Sequence, residues 1–161
     1  MRNKILGLLE RNAKLTNKDI SAFLSIPEED VKAEIASLEK EQIICGYGAY
    51  VNWDKTENDI LTALIEVKVT PARGQGYNRI AERISRFDEV KAVYLMSGGY
   101  DLAAIVEGKS LKEIALFVSD KLSPLESVLS TATHFVLKKF KDHGVIFNDD
   151  CTDDERMIVS P

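Results

Sequence analysis

The 161-residue chain has little of what builds covalent frameworks or metal centres. Its two cysteines, Cys45 and Cys151, are far apart and have no CxxC neighbour. That excludes a disulfide scaffold and leaves no metal-ligand spacing to read. The only histidines are His134 and His143, and no Ser/His/Asp or Cys/His grouping, P-loop or GxGxxG pattern is present. No catalytic residue, metal or cofactor is therefore expected. No apolar run approaches the length needed to span a bilayer, so no membrane partner is expected. The start, MRNKILGLLERN, begins with a basic residue, but its apolar part is broken by Glu10 and Arg11 and lacks a small-residue cleavage site. It reads as a helix and not as a signal peptide, which makes a cytoplasmic location the expectation. A basic excess is missing too: 21 Lys+Arg stand against 26 Asp+Glu, a net charge of −5. This argues against a strong, non-specific nucleic-acid binder. Much of that excess lies in residues 148–161, where Asp149, Asp150, Asp153, Asp154 and Glu155 face Arg156 alone. This segment is expected to be a loosely held acidic tail.

What is present divides into two patterns. The first segment reads as three helices. Ile5, Leu8 and Leu9 keep helical spacing. TNKD (residues 16–19) is a capping box, in which the Thr16 hydroxyl takes a backbone N–H and Asp19 reaches back. Ile20, Phe23 and Leu24 are expected on one apolar face behind it. SIPE (residues 25–28) repeats the signal, with Pro27 in the first turn, where its missing N–H is harmless. Val31, Ile35 and Leu38 follow at i, i+4 and i+7. Two short capped helices joined this tightly predict a helix-turn-helix. Cys45, after two isoleucines, is expected as a small buried apolar residue.

GYGAYVNWDKTEND (residues 46–59) reads as a strand and then a polar linker, with Tyr47, Ala49, Val51 and Trp53 alternating with small or polar residues. Beyond it, period-2 and period-3.6 stretches alternate. LTALIEVKVT (61–70) is a strand and YNRIAERISRF (77–87) an amphipathic helix. VKAVYLMS and DLAAIVEG are strands joined by Gly98-Gly99-Tyr100. SLKEIALFVSDKL (110–122) is a helix with Ser110 as N-cap and Glu113 closing the box, and SVLSTATHFVLKKFK (127–141) is a long last strand. The order β-α-β-β-α-β predicts a ferredoxin-like split sandwich. One sheet face takes the helices, and a second subunit is the simplest cover for the other. The expected fold class is α+β: a helix-turn-helix (winged-helix-like) domain over residues 1–46, a hinge strand and linker over 47–60, a ferredoxin-like ligand-binding and oligomerisation domain over 61–147, and the tail over 148–161.

In this order the chain resembles the Lrp/AsnC (feast/famine) family of transcriptional regulators. The stretch LEKEQIICGY (38–47) is similar to that family's helix end and hinge entry, MSGGYDLAAIV (96–106) to its glycine-Asp hairpin, and VLSTATHFVLKK (128–139) to its last strand with paired threonines. The resemblance implies a DNA-binding regulator that forms a homodimer or higher homo-oligomer and senses a small-molecule effector, commonly an amino acid. It implies effector contacts from Ser97, Gly98, Gly99, Tyr100 and Asp101 in the hairpin and from Thr131 and Thr133 in the last strand. The chemistry of these residues is compatible with that role. Glycines let a ligand approach the backbone, exposed N–H groups can hold a carboxylate, and Asp101 can pair with an ammonium. The same Gly-Gly also suits a plain hairpin turn, and threonine is a good strand former, so structural readings stand beside the functional ones. His134 falls on the strand face opposite the threonines, as expected of a packed or interface residue. Arg79, Arg83 and Arg86, with Arg73 nearby, form a basic stripe that suits either nucleic acid or a solvated face paired with carboxylates. Some relatives of this architecture act on modified tetrapyrroles, but no histidine-arginine constellation supports that here.

The second helix of the helix-turn-helix, in SIPEEDVKAEIASLEK (25–40), poses the main difficulty, because it is acidic. On a helical wheel the side opposite Val31, Ile35 and Leu38 holds Glu29, Ala33, Ala36 and Lys40, flanked by Lys32 and Ser37. Glu28, Glu29 and Asp30 lie in the first turn, where the macrodipole favours them. The expected contacts with double-stranded DNA are therefore Thr16, Lys18, Glu29, Lys32, Ala33, Ala36, Ser37 and Lys40, with Arg2, Lys4, Arg11 and Lys14 helping from the flanks. Glu34 stands where related helices carry an arginine. The expectation is weak binding per domain, made useful by several domains acting together. The alternative is a metabolite-sensing or partner-binding module whose helix-turn-helix no longer binds DNA strongly.

Overall fold

The computed structural model describes residues 1–71 and 76–147. Arg73, Cys151 and the acidic tail lie outside the described residues. The chain divides into two compact units, Met1–Tyr50 and a second beginning at Val51.

The first unit is α1 (Arg2–Arg11), α2 (Asn17–Leu24) and α3 (Glu28–Lys40). Ile5, Leu9, Ile20, Val31 and Leu38 are buried together, each worth about 1.5–3 kcal/mol, with Leu8, Leu24, Ile35 and Ile44 packed around them. The Thr16 box is formed in both directions. The second box is not. Pro27, and not Ser25, occupies the N-cap of α3, and it makes no side-chain cap. Ring clash keeps the residue before a proline out of the helical region, so Ile26 cannot be helical and α3 starts at Glu28. Ser25 instead ends α2 in the left-handed conformation, φ 53°. The Ser21 hydroxyl secures the turn by donating to the Ile26 carbonyl at 2.6 Å.

Phe23, expected inside, is 67% exposed. Ile20 and Leu24, one turn apart, already fill the inner side of α2. Cys45, also expected inside, is exposed. At the end of α3 the chain reverses through Gln42 (φ 56°), and the Ile43 and Ile44 N–H groups donate to the Leu38 carbonyl at 2.9 and 3.1 Å. Ile44 is the residue packed on the core, which leaves Cys45 outside.

The strand expected over 47–53 is not formed. Residues 45–52 lack regular structure and Trp53–Lys55 make a single 3-10 turn. An isolated strand needs a neighbour, and among the described residues none pairs with this one.

The second unit is β1 (Leu61–Val69), α4 (Asn78–Ser85), β2 (Val90–Leu95), β3 (Leu102–Gly108), α5 (Leu111–Phe117), a π turn (Val118–Leu122) and β4 (Val128–Phe135). The sheet order β2-β3-β1-β4, antiparallel throughout, is the ferredoxin-like arrangement. Ala63, Ile65, Val67, Leu102, Ala104 and Val106 form its buried face, against Ile80, Ile84, Ile114 and Phe117 of the helices. Phe87 meets Phe117 edge to face at 5.5 Å. Glu113 donates its N–H to the Ser110 hydroxyl at 3.2 Å, and its carboxylate accepts from Lys109 N–H at 2.6 Å, one residue further back than a capping box requires.

The last strand is shorter than expected. It ends at Phe135, opposite Ala63, because β1 has almost no chain left to pair beyond that point. Leu137 is 96% exposed. The chain then makes a small hairpin of β5 (Lys141–Asp142) and β6 (Val145–Ile146) around His143 and Gly144, whose φ values of 46° and 82° suit a two-residue turn.

Candidate functional site

The face of α3 opposite its buried stripe is solvent-exposed at Glu29, Lys32, Ala33, Ala36 and Lys40. Small side chains between two lysines leave the backbone open to a groove-sized partner. Lys18 on α2 is also exposed. Thr16 is exposed, but its hydroxyl is engaged in the cap: it accepts from Asp19 N–H at 3.2 Å and donates to Asp19 Oδ2 at 2.7 Å. The Thr16 hydroxyl, then the Thr16 backbone N–H, which donates to the same Asp19 Oδ2 at 2.8 Å, pull the Asp19 carboxyl below its usual range.

Ser37 and Glu34 sit differently. Arg2, at the start of α1, reaches across to the flank of α3. Its Nε donates to Glu34 Oε1 at 2.5 Å, its Nη1 and Nη2 to the two Glu41 oxygens at 3.0 and 2.5 Å, and its Nη2 to the Ser37 hydroxyl at 3.2 Å. Ser37 in turn donates to Glu41 Oε1 at 2.7 Å. The guanidinium and the Ser37 hydroxyl hold the Glu41 carboxyl down at about 2, and the two carboxylates raise Arg2 well above its usual value. Arg2 is therefore not an unengaged cation on the flank, and the Ser37 hydroxyl is committed within the unit. Sequence spacing gives no sign of this cluster, because Arg2 lies 32 and 39 residues from its two acidic partners.

In the second unit, Ser97, Gly98 and Gly99 are exposed at the β2–β3 turn, and Tyr100 is half-buried. Only Gly98 of the pair uses a positive φ, +154°, and a Cβ there would meet open space. Asp101 is built into the sheet. Its N–H donates to the Val67 carbonyl at 3.1 Å, its carbonyl accepts from Met96 N–H at 2.8 Å, and its carboxylate accepts Val69 N–H at 2.9 Å. Tyr77, just before α4, is the residue that sequence reading did not single out. The charge of Asp101, then burial, then a hydrogen bond to the same carboxylate raise the Tyr77 phenol above its ordinary value.

Thr131 and Thr133 are half-buried and stand opposite Val67 and Ile65, so both lie on the helix-facing side of the sheet. Thr131 shares an end of β1 with Asp101, about 10 Å away across two strand spacings. The structure thus brings Asp101, Tyr77 and Thr131 towards one end of the sheet, with Thr133 one pleat further in.

Among the described residues of this unit, no helix covers the other sheet face. Leu64, Glu66, Ala92, Tyr94, Ala103, Ile105 and His134 belong to it by register. His134 Nε2 lies 3.3 Å from Glu66 Oε1. Arg79, Arg83 and Arg86 are exposed on or beside α4. An open cleft of about 300 Å³ is bounded by Trp53, Asp54, Asp59 and Lys109. Among the described residues no group of three or more His, Cys, Asp or Glu could hold a metal ion, and no helix is long and apolar enough to cross a membrane.

Residues 62–146 match the model of the Lrp/AsnC ligand binding domain. The chain is 48% identical over 159 residues to YugG, an uncharacterized HTH-type transcriptional regulator of Bacillus subtilis, covering 98% of this chain and 95% of that one. It is 30% identical over 140 residues to an uncharacterized HTH-type regulator of Pyrococcus horikoshii, covering 87% and 85%. Among solved structures, a Neisseria meningitidis transcriptional regulator in complex with L-Met superimposes with a TM-score of 0.70 at 24% identity, over 88% of this chain and 90% of that one. AsnC of Escherichia coli does so with a TM-score of 0.64 at 20% identity, over 86% and 91%.

Proposed function

Because the chain belongs to the Lrp/AsnC family of HTH-type transcriptional regulators, we propose that it is a cytoplasmic homo-oligomer that reads DNA with α3 and senses an amino acid or a closely related metabolite. The α3 surface carries the DNA reading: Lys32 and Lys40 bracket Ala33 and Ala36 on an exposed face that also holds Glu29, and the flanking acids Glu34 and Glu41 are paired with Arg2. Phosphate contacts supply much of the affinity in such complexes, and two lysines per copy supply few of them. Binding strength then comes from several copies engaging half-sites about one helical turn, or a multiple, apart. Lys18 and the α2 start would lie along the backbone, with Thr16 ordering that start.

The effector site of this reading is the end of the sheet at Asp101, with the Ser97–Tyr100 turn and Thr131 around it. Exposed amides of the turn suit a carboxylate and Asp101 suits an ammonium, which together describe an amino acid. The uncovered sheet face suits a second copy of the chain, and a ligand held beside it would bias how copies assemble.

Gel shifts with the full-length protein on its own upstream region, over a salt series, test the DNA half. Retarded complexes whose affinity falls steeply with salt are expected; negligible affinity at every low-salt condition would overturn it. Thermal shifts across an amino-acid panel test the effector half. One or a few members are expected to raise the melting temperature, and a uniformly flat panel would count against an amino-acid effector.

A further inference from the structure

We infer that Arg2 is a charge-masking residue for DNA binding: by pairing with Glu34 and Glu41, it offsets one of the two negative charges that would otherwise flank the DNA-facing surface of α3 and repel phosphate. The inference rests on α3 being the DNA-reading helix. Four groups from two helices and a helix end meet here, through three hydrogen bonds of 2.5–3.0 Å between Arg2 and the two glutamates. Glu34 is on the second turn of α3, on the flank between the buried stripe and the exposed face, and its side chain is 18% exposed. Ser37, one turn nearer the C-terminus of α3, joins Arg2 to Glu41 by accepting from one and donating to the other.

The geometry separates masking from a phosphate contact. The Arg2 side chain is 42% exposed, but its Nε and both Nη atoms already have carboxylate or hydroxyl partners. Four of its five N–H groups are thus committed, so a phosphate would find a single Nη1 N–H before having to displace a partner. With Arg2 one negative charge is left in excess on the flank of the reading face; without it both carboxylates stand uncompensated there. Like charges brought together at an interface suppress binding. This also bears on the acidic composition of α3. Glu34, on the flank of that face, is paired with a cation from α1 and not with one on α3 itself.

The experiment measures DNA affinity by fluorescence anisotropy, using the full-length oligomer and its own upstream region across a salt series. Arg2→Ala is expected to bind about tenfold more weakly at low salt, as unmasked like charges near phosphate require. The triple variant Arg2→Ala/Glu34→Gln/Glu41→Gln is expected to recover affinity to within about threefold of the parent, with an unchanged salt slope. Glu34→Gln/Glu41→Gln alone, with Arg2 intact, is expected to bind more tightly than the parent, and it keeps the test valid if Arg2→Ala is unstable. Arg2→Ala binding as well as the parent would overturn the inference. So would a triple variant that stays as weak as Arg2→Ala with a slope reduced by roughly 0.9, the mark of one lost phosphate contact. Lys32→Ala/Lys40→Ala separates the two levels. If that variant binds like the parent, the α3 reading itself fails; if it weakens binding while Arg2→Ala does not, only the masking fails.

Discussion

The Asp101 carboxylate accepts the Val69 backbone N–H at 2.9 Å, at the point where β1 slips register against β4 between Lys68 and Val69. The bond bridges the start of β3 to the end of β1 and occupies an N–H beside the irregular step. One residue thereby both closes the sheet end and presents charge at the proposed effector site. Asp101→Ala should lower stability by about 2 kcal/mol, the typical loss for a hydrogen bond to a charged group. Asp101→Asn keeps a carbonyl oxygen for Val69 and should recover most of that stability without recovering effector binding, because the charge that would meet an ammonium is gone. Thermal melts paired with calorimetric titration of the effector separate the roles. An Asn variant that binds effector like the parent would remove Asp101 from the site.

The uncovered sheet face gives a second test. Ile105 sits at its centre on β3, paired with Leu64 on β1 and Ala92 on β2, and is half-buried in the single chain. Ile105→Glu places a charge where a second copy would pack, but points it away from the helix-facing core. Light scattering should then show the mass falling towards that of one chain, with far-UV circular dichroism unchanged. An oligomer of undiminished mass would mean that a second copy does not cover this face.

Local chemistry made much of the fold legible. The Thr16–Asp19 box, the buried spacing of Val31 and Leu38, and the β-α-β-β-α-β order each follow from residues within a few positions of one another. The misreadings arose where something outside the local pattern decides. Pro27 looks like a helix residue until its effect on Ile26 is weighed, and the end of β4 is set by where β1 begins, more than sixty residues earlier. The alternation of Tyr47, Ala49 and Val51 describes a segment with a strand's side-chain pattern but no partner among the described residues of one chain. The candidate sites divide in the same way. The hairpin glycines and the α3 lysines are visible as motifs, whereas Arg2 with Glu34 and Tyr77 with Asp101 are joined only by folding.

Gln42 follows the same logic at the end of α3. Its N–H donates to the Glu39 carbonyl at 3.0 Å and the Ile43 N–H to the Leu38 carbonyl at 2.9 Å, the bond pair of a Schellman turn. The turn places Gln42 at φ 56°, where a side chain is strained by about 1–2 kcal/mol. Gln42→Gly removes the strain and loosens the unfolded chain, so a net gain of about 0.5–1 kcal/mol is expected. Chemical denaturation should show a raised midpoint with an unchanged slope. A lowered midpoint would mean that the glutamine side chain contributes more than its strain.

Glu41 sets an acid dependence whose direction follows from its partners. Arg2 and then Ser37 lower its folded pKa from 4.5 to about 2. A depressed carboxyl contributes stability that is fully present above its unfolded value and is lost as pH falls through the folded one. The contribution should therefore be complete at neutral pH, decline below about 4.5 and vanish near 2. Glu41→Gln lacks it at every pH, so parent and variant melting temperatures should differ at neutral pH and converge as the pH approaches about 2. Asp19, whose carboxyl is lowered by Thr16, is untouched by the substitution, so the variant keeps a residual acid sensitivity. Added salt should narrow the neutral-pH gap, since both Arg2 and Glu41 are well exposed. A gap that stays constant down to about pH 2 would show that Glu41 acts through packing and not through its charge.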